Sequence, residues 1–422
     1  LFSIPKSEFT KNVLTLITGT SIAQAIPFAM SPILTRIYSP DDYGIFALYI
    51  SIVGILSVFA TGRYELAIML PQKDEDAANL VALSIGISIF VSCIALAVVG
   101  FFNAEITQML GNEDISRWLY LLPVSVLLTG IYQSFSYWSN RRKEYKRLAG
   151  NKILQSSVIA SSNFGIGLAG YGWGLIFSSV FGQGVAATVF GVKIWQEDLR
   201  LFRKIDKMKM WASAKRYIDF PKINIPNALL DNFRIFGINM LISKQFSIAT
   251  LGQFSLAWKI VQVPMSLIGA SLSQVFFQKI AQCEKKDMYA FVLRYVIKLI
   301  MIALPVFIGI FFFAADLFTF VFGEKWRLAG ESASIMSIWL FMNFISGSMT
   351  NILIVLHRQS IVLITSIFYM LVPIILLLTL SHLGFIVVLQ VVAYAMSFIL
   401  FIFIITAIYY AKKEQESVHE IN

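Results

Sequence analysis

The chain has 422 residues, of which 57% are hydrophobic and only 14% charged, whereas a soluble globular domain carries about 25% charged residues. That balance, with apolar stretches such as 80–102 and 385–410, excludes a soluble globule and defines a polytopic helical membrane protein, because each run of about 20 apolar residues crosses roughly 30 Å of hydrocarbon. The net charge of +10 would suggest nucleic acid in a soluble protein, but here the excess is read as topogenic and no nucleic-acid partner is expected.

Breaking the chain at polar and Gly/Pro-rich points gives about twelve spans: 12–35, 44–70, 80–102, 118–138, 150–170, 173–193, 223–246, 252–276, 291–314, 331–356, 360–381 and 384–410. The first begins near residue 12 without a small-residue cleavage site and reads as an uncleaved helix. Basic residues set the orientation. With the N-terminus inside, the inner loops hold 26 Lys and Arg, among them Lys6, and the outer positions hold five. Both termini are therefore expected in the cytoplasm. Cys93 falls mid-span and Cys283 in a polar loop, so no structural disulfide is expected. His357, His382 and His419 lack metal-ligand spacing, and no cofactor is expected.

Segment 194–222 differs in kind. It is basic, yet Leu199, Phe202, Ile205 and Met208 recur at three-residue spacing, the pattern of a helix lying on an anionic membrane surface. It separates six spans from six. An internal repeat agrees with that division: aligning Gly44 with Gly252 pairs Arg36 with Lys244, Tyr38 with Phe246, Ser39 with Ser247, Phe46 with Phe254 and Leu48 with Leu256. An even number of spans per half makes the repeats parallel, related by a pseudo-two-fold axis along the membrane normal. The expected architecture is all-α, with a six-helix bundle at 1–193, a cytoplasmic amphipathic linker at 194–222 and a second six-helix bundle at 223–422. The two bundles would face each other across a central cleft. With its two halves already supplying a cleft, the chain is expected to act as a monomer.

Charges inside the spans are the candidate functional groups, since each costs about 2.5–3.5 kcal/mol at mid-bilayer and should face a cavity or a partner. They are Arg63 and Glu65 in the second span, Asp231 and Arg234 in the seventh, and Lys259 in the eighth. With Arg36 and Lys244 at the outer rim, the cations would form a ladder through the bilayer. Each has a plainer reading. Asp231 and Arg234, three apart on one helix face, could neutralise each other. Arg63 and Glu65, two apart on a helix, could not both point into one lumen. Lys259 could snorkel outward. Glu65 and Asp231 are candidates either for ion coupling, since burial raises a carboxylate pKa, or for static pairing. Arg141, Arg142 and Lys143 read as a topogenic, lipid-binding cluster or as part of a cytoplasmic entry.

Pro27, Pro32, Pro226 and Pro264 are candidate bends, and Asn224, Asn227, Asn232 and Asn239 make the seventh span unusually polar. No catalytic constellation or P-loop is present, the outer loops are short, and Gly165-Ile-Gly-Leu-Ala-Gly170 reads as a helix-packing surface. An enzyme is not expected.

Two stretches, Leu34-Thr-Arg-Ile-Tyr-Ser-Pro-Asp-Asp-Tyr-Gly-Ile-Phe-Ala-Leu48 and Gly62-Arg-Tyr-Glu-Leu-Ala67, resemble the N-terminal signature of Wzx-type polysaccharide flippases. That family shares a superfamily with multidrug antiporters and the peptidoglycan-precursor flippase. The resemblance implies translocation of an undecaprenyl-pyrophosphate-linked oligosaccharide from the inner to the outer face of the bacterial inner membrane, beside a polysaccharide polymerase and chain-length machinery. A wet cationic lumen suits a pyrophosphate, which Arg holds through bidentate hydrogen bonds. Two other readings stay open. A cation-coupled multidrug antiporter is disfavoured by a net intramembrane charge of one positive, and a glycan polymerase or ligase by the short outer loops.

Overall fold

A computed structural model describes residues 8–281, 283–356 and 358–419; Lys6 and His357 lie outside the described residues. Every regular element among them is helical. The long apolar runs become α1 (Glu8–Ile37), α2 (Pro40–Leu56), α3 (Asp74–Leu110), α4 (Leu122–Arg141), α5 (Tyr145–Leu168) and α6 (Gly174–Phe202). A short surface helix, α7 (Lys207–Arg216), leads to α8 (Ile225–Gln245) and α9 (Ile248–Ala281). Then come α10 (Met288–Phe322), α11 (Arg327–Val355), α12 (Gln359–Leu380) and α13 (Phe385–His419).

Seven of these helices, α1, α3, α6, α10, α11, α12 and α13, are long and apolar enough to cross a membrane. An eighth is added if Glu113–Leu119 and α4, bent by 52° at their junction, form one broken span. The chain is a multi-pass helical membrane protein. It divides into two compact units, residues 1–244 and 245–422.

In the first unit α1 lies along α5, and α3 along α4. Helix association in lipid relies on close backbone approach at small residues. Gly19 of α1 shows this, since a Cβ there would stand 2.3 Å from the Cβ of Ala149. Pro27 and Pro32 both lie inside α1, and hydroxyls fold back beside them: Ser31 Oγ donates to the Pro27 carbonyl at 2.7 Å and Thr35 Oγ1 to the Pro32 carbonyl at 3.1 Å. Of the three glycines expected to pack near the end of α5, Gly167 does so, against Ile37 and Tyr38, whereas a Cβ on Gly165 or Gly170 would meet nothing within 4 Å among the described residues. α8 also packs within this unit. Its Phe236 ring covers Gly54 of α2, where any side chain would collide, and Asn239 Nδ2 donates to Ser51 Oγ at 2.9 Å. In the second unit α11 is the central helix, contacting α9, α10 and α13. Met349, Ile352 and Leu353 of α11 join Val292, Val296 and Ala407 in a buried apolar cluster.

The repeat is visible in the local structure. α1 ends at Ile37 and α2 begins at Pro40; α8 ends at Gln245 and α9 begins at Ile248, the same offset that the sequence alignment uses. Each second helix opens on a serine. Ser39 and Asp42 form a reciprocal capping box, and Ser247 Oγ accepts from the Thr250 amide at 3.0 Å, satisfying amides that the first helical turn leaves unpaired.

One expected span is not a continuous helix. α2 stops at Leu56, the chain turns through Gly62 (φ 60°) and Arg63 (φ 62°), and a 3-10 helix covers Tyr64–Met69. The sequence expectation of one α-helix over 44–70 is corrected here. Positive φ at Gly62 is natural for a residue without a Cβ, while at Arg63 it carries a backbone cost of about 1–2 kcal/mol.

Candidate functional site at the broken second span

The break changes how Arg63 and Glu65 relate. On a straight helix two residues apart point to nearly opposite sides. Across the left-handed turn they come together, with Arg63 Nη1 3.5 Å from Glu65 Oε1. Glu65 is almost fully buried and also accepts from the Thr61 hydroxyl. The Arg63 side chain is a quarter exposed, and its Nε, itself buried, has no hydrogen-bond partner among the described residues. The expectation that Arg63 and Glu65 could not both point into one lumen rested on a continuous helix, which the break replaces; the two side chains pair with each other. The carboxylate holds one edge of the guanidinium, while the remaining donors keep capacity for a further acceptor. Irregular backbone at membrane depth occurs where it is enclosed by protein or lines a polar cavity.

The turn is held from one end of the unit. Tyr64, Ala67 and Ile68 join Ala77, Leu80, Trp138 and Ile194 in a buried cluster, with Tyr217 and Phe220 packed against it. The Tyr64 hydroxyl donates to the Ala214 carbonyl of α7 at 3.0 Å. Helix α7 is itself anchored to α3: Asp206 caps it, the Asp206 amide donates to Asn79 Oδ1 at 2.9 Å, and Lys204 pairs with Glu75 at 2.6 Å. Residues 194–202 of the expected linker continue α6 rather than forming a separate element.

Arg141 donates to Asp74 Oδ1 at 3.0 Å and to the Ile68 carbonyl at 3.1 Å, so it fastens the end of the 3-10 helix to the start of α3. Arg142 pairs with Asp74 and, at 3.5 Å, with Asp198. Asp198 is buried, accepts from Trp138 Nε1 at 2.9 Å and faces Arg147 at 3.8 Å; Arg147 also pairs with Glu197. Lys143 is exposed, with φ of 59°. Sequence reasoning missed Glu197 and Asp198 as the anions that neutralise Arg147 and Arg142, since they stand fifty or more positions away.

The other expected cations fall elsewhere. Arg234 is 3.7 Å from Asp231, which is itself well exposed. Arg36 is exposed in the last turn of α1. Lys244 is exposed at the end of α8, beside Gly111, which closes α3. These four belong to the first unit, whereas Lys259 is exposed on α9 in the second.

Fold and site together define a helical membrane protein with a broken span that presents a half-tethered arginine. Residues 33–331 match the family model described as polysaccharide biosynthesis protein. The chain belongs to that family. Among curated relatives, the succinoglycan biosynthesis transport protein ExoT of Rhizobium meliloti (strain 1021) is 20% identical, covering 78% of this chain and 65% of its own length. The lipopolysaccharide biosynthesis protein WzxC of Escherichia coli (strain K12) is 22% identical, covering 73% and 62%. The matches thus span less than two thirds of those relatives. The solved lipid II flippase MurJ, in an inward closed conformation, superposes with a TM-score of 0.75 at 12% identity over 95% of this chain and 89% of its own. An inward-facing multidrug-resistance MATE family transporter of the MOP superfamily gives 0.70 at 15% identity, over 96% and 99%. At such identities the likeness is one of fold.

Proposed function

We propose that this protein is a flippase, not an enzyme, that moves undecaprenyl-pyrophosphate-linked oligosaccharide repeat units across the bacterial inner membrane by alternating access. The product would serve O-antigen or a related surface polysaccharide. The observation that carries the proposal is Arg63: a guanidinium on a left-handed break in an apolar unit, pinned along one side by Glu65, with a buried Nε that has no partner among the described residues. Pyrophosphate is an acceptor-rich dianion whose geometry matches the open donors of such a group. The two relatives, a succinoglycan transport protein and a lipopolysaccharide biosynthesis protein, support a glycan on that headgroup.

The working parts follow from the same reading. Two six-helix halves, 1–193 and 223–422, rock about the linker, both termini lie in the cytoplasm, and the chain acts as a monomer. Arg63, Arg234 and Lys259 receive the pyrophosphate in turn, with Arg36 and Lys244 at the outer rim. Glu65 orients Arg63 instead of coupling an ion. Arg141 and Arg142 brace the break; Lys143 stays free to meet lipid headgroups at the inner face.

The test is reconstitution into proteoliposomes with a short undecaprenyl-pyrophosphate-linked oligosaccharide and a membrane-impermeant glycosidase added outside. Digestion beyond the half of the substrate initially in the outer leaflet is expected with the protein, and not in protein-free vesicles. Digestion that stops at that half, together with uptake of cationic dyes driven by a proton or sodium gradient, would instead establish the antiporter reading.

A further inference from the structure

We propose a second site in the first unit, a pyranose-binding pocket at the end opposite the Arg63 turn. There the starts of α2 and α6 and the segment before α4 converge on a cavity of about 160 Å3, the size of one sugar ring. Asp42, Asp114, Arg117, Trp118, Gly172 and Trp173 line it. This inference rests on the reading of a saccharide-bearing substrate and adds to it a place where one sugar unit is held.

The polar groups are set for a ligand. Asp42 Oδ2 is engaged by the Ser39 amide at 2.8 Å and the Ser39 hydroxyl at 2.7 Å, which fixes the carboxylate. Its Oδ1 has no hydrogen-bond partner among the described residues and stands over Gly172, where a Cβ would lie 2.1 Å away. Glycine at that position is what gives the carboxylate its space. Asp114 and Arg117 are exposed and form no ion pair among the described residues. Two acceptor-rich carboxylates beside a forked donor match the alternating hydroxyls of a pyranose, each of which both donates and accepts.

The apolar side fits as well. The Trp118 and Trp173 rings lie 6.4 Å apart at 31°, and Trp173 is 37% exposed. A pyranose has one face of axial C–H bonds that packs on an aromatic plane, so indoles beside carboxylates form a polar-plus-stacking site. Interfacial tryptophans also occur as membrane anchors, but an anchor does not require unpaired Asp114, Arg117 and Asp42 Oδ1 around a shared cavity. With two carboxylates and one guanidinium, the lining is net negative. It therefore favours neutral or amino sugars over uronic acids.

The experiment uses the full chain in lipid nanodiscs and saturation-transfer-difference NMR with methyl glycosides of glucose, galactose, N-acetylglucosamine, glucosamine and glucuronic acid. Transfer to the ring C–H protons of the neutral and amino sugars is expected, about fivefold weaker for glucuronate. Trp173→Ala and Asp114→Asn should each weaken binding about fivefold. Trp173→Phe should keep most of it, and Trp195→Phe, outside the cavity, should leave it unchanged. No transfer to any of the five sugars, transfer indifferent to Trp173→Ala, or strongest transfer to glucuronate would each overturn the pocket. The readout does not depend on translocation. Flipping without sugar binding removes this site alone, and sugar binding without flipping removes the transport reading.

Discussion

Arg63 holds two roles that substitution separates. Its backbone occupies the left-handed region, where glycine is relaxed, while its guanidinium is the candidate anion ligand. Arg63→Gly and Arg63→Gln both leave the buried Glu65 carboxylate without its charge partner, but Arg63→Gly relaxes the turn and is expected to be about 1 kcal/mol more stable in detergent than Arg63→Gln, yet to lower flipping as strongly. If Arg63→Gly flips normally, the turn matters and the guanidinium does not. Glu65→Gln should act oppositely, through stability. Removing the buried charge leaves one edge of Arg63 and the Thr61 hydroxyl poorly matched, for a loss of about 1–3 kcal/mol, read as a lower unfolding midpoint.

Among elements, the brace between the 3-10 helix and α3 distinguishes two neighbouring arginines. Arg141 serves two backbone carbonyls of the 68–72 stretch besides Asp74, so Arg141→Ala should cost about 1–3 kcal/mol. Arg142 is 39% exposed, and Arg142→Ala should cost less than about 1 kcal/mol; equal unfolding midpoints for the two variants would contradict the brace. α7 offers another contrast. The side away from its anchor carries Met208 and Trp211, 77% and 63% exposed, beside Lys215, the composition of an interfacial helix. Each nearby cation contributes about 1 kcal/mol at an anionic surface. Amide exchange across α7 should therefore slow in phosphatidylglycerol nanodiscs relative to phosphatidylcholine, and a Gln replacement of Lys207, Lys209, Lys215 and Arg216 should abolish the difference. Identical exchange in both lipids would detach α7 from the membrane surface.

These elements also show what periodicity reveals and what it hides. The turn at Ser39 was legible because Ser, Pro and Asp act within four residues, and its repeat at Ser247 because the same local chemistry recurs. The break after Leu56 was not. Residues 57–63 remain apolar enough to extend a helix, Gly62 is their sole local breaker, and the contacts holding the turn come from α3, α4 and α7. The pairing of Arg142 and Arg147 with Asp198, and the cavity joining Asp42, Asp114 and Gly172, likewise join residues distant in sequence. Arg117 and Trp118 carry no local sign of a site, and Trp173 joins them only through the fold.

For the whole molecule, the proposed anionic lipid-linked cargo turns on the polarity of the intramembrane charges, three cations against two carboxylates. The proposed path, net cationic with a tethered arginine, suits pyrophosphate, whereas a path for organic cations would be acidic. Cell-surface glycan in a flippase-null host tests this most directly, comparing the wild-type chain with one in which Arg63, Arg234 and Lys259 are all Gln, at matched membrane levels. Loss of surface glycan with lipid-linked repeat units accumulating on the cytoplasmic face is the expected result. Full glycan export by the triple variant would contradict the cationic path.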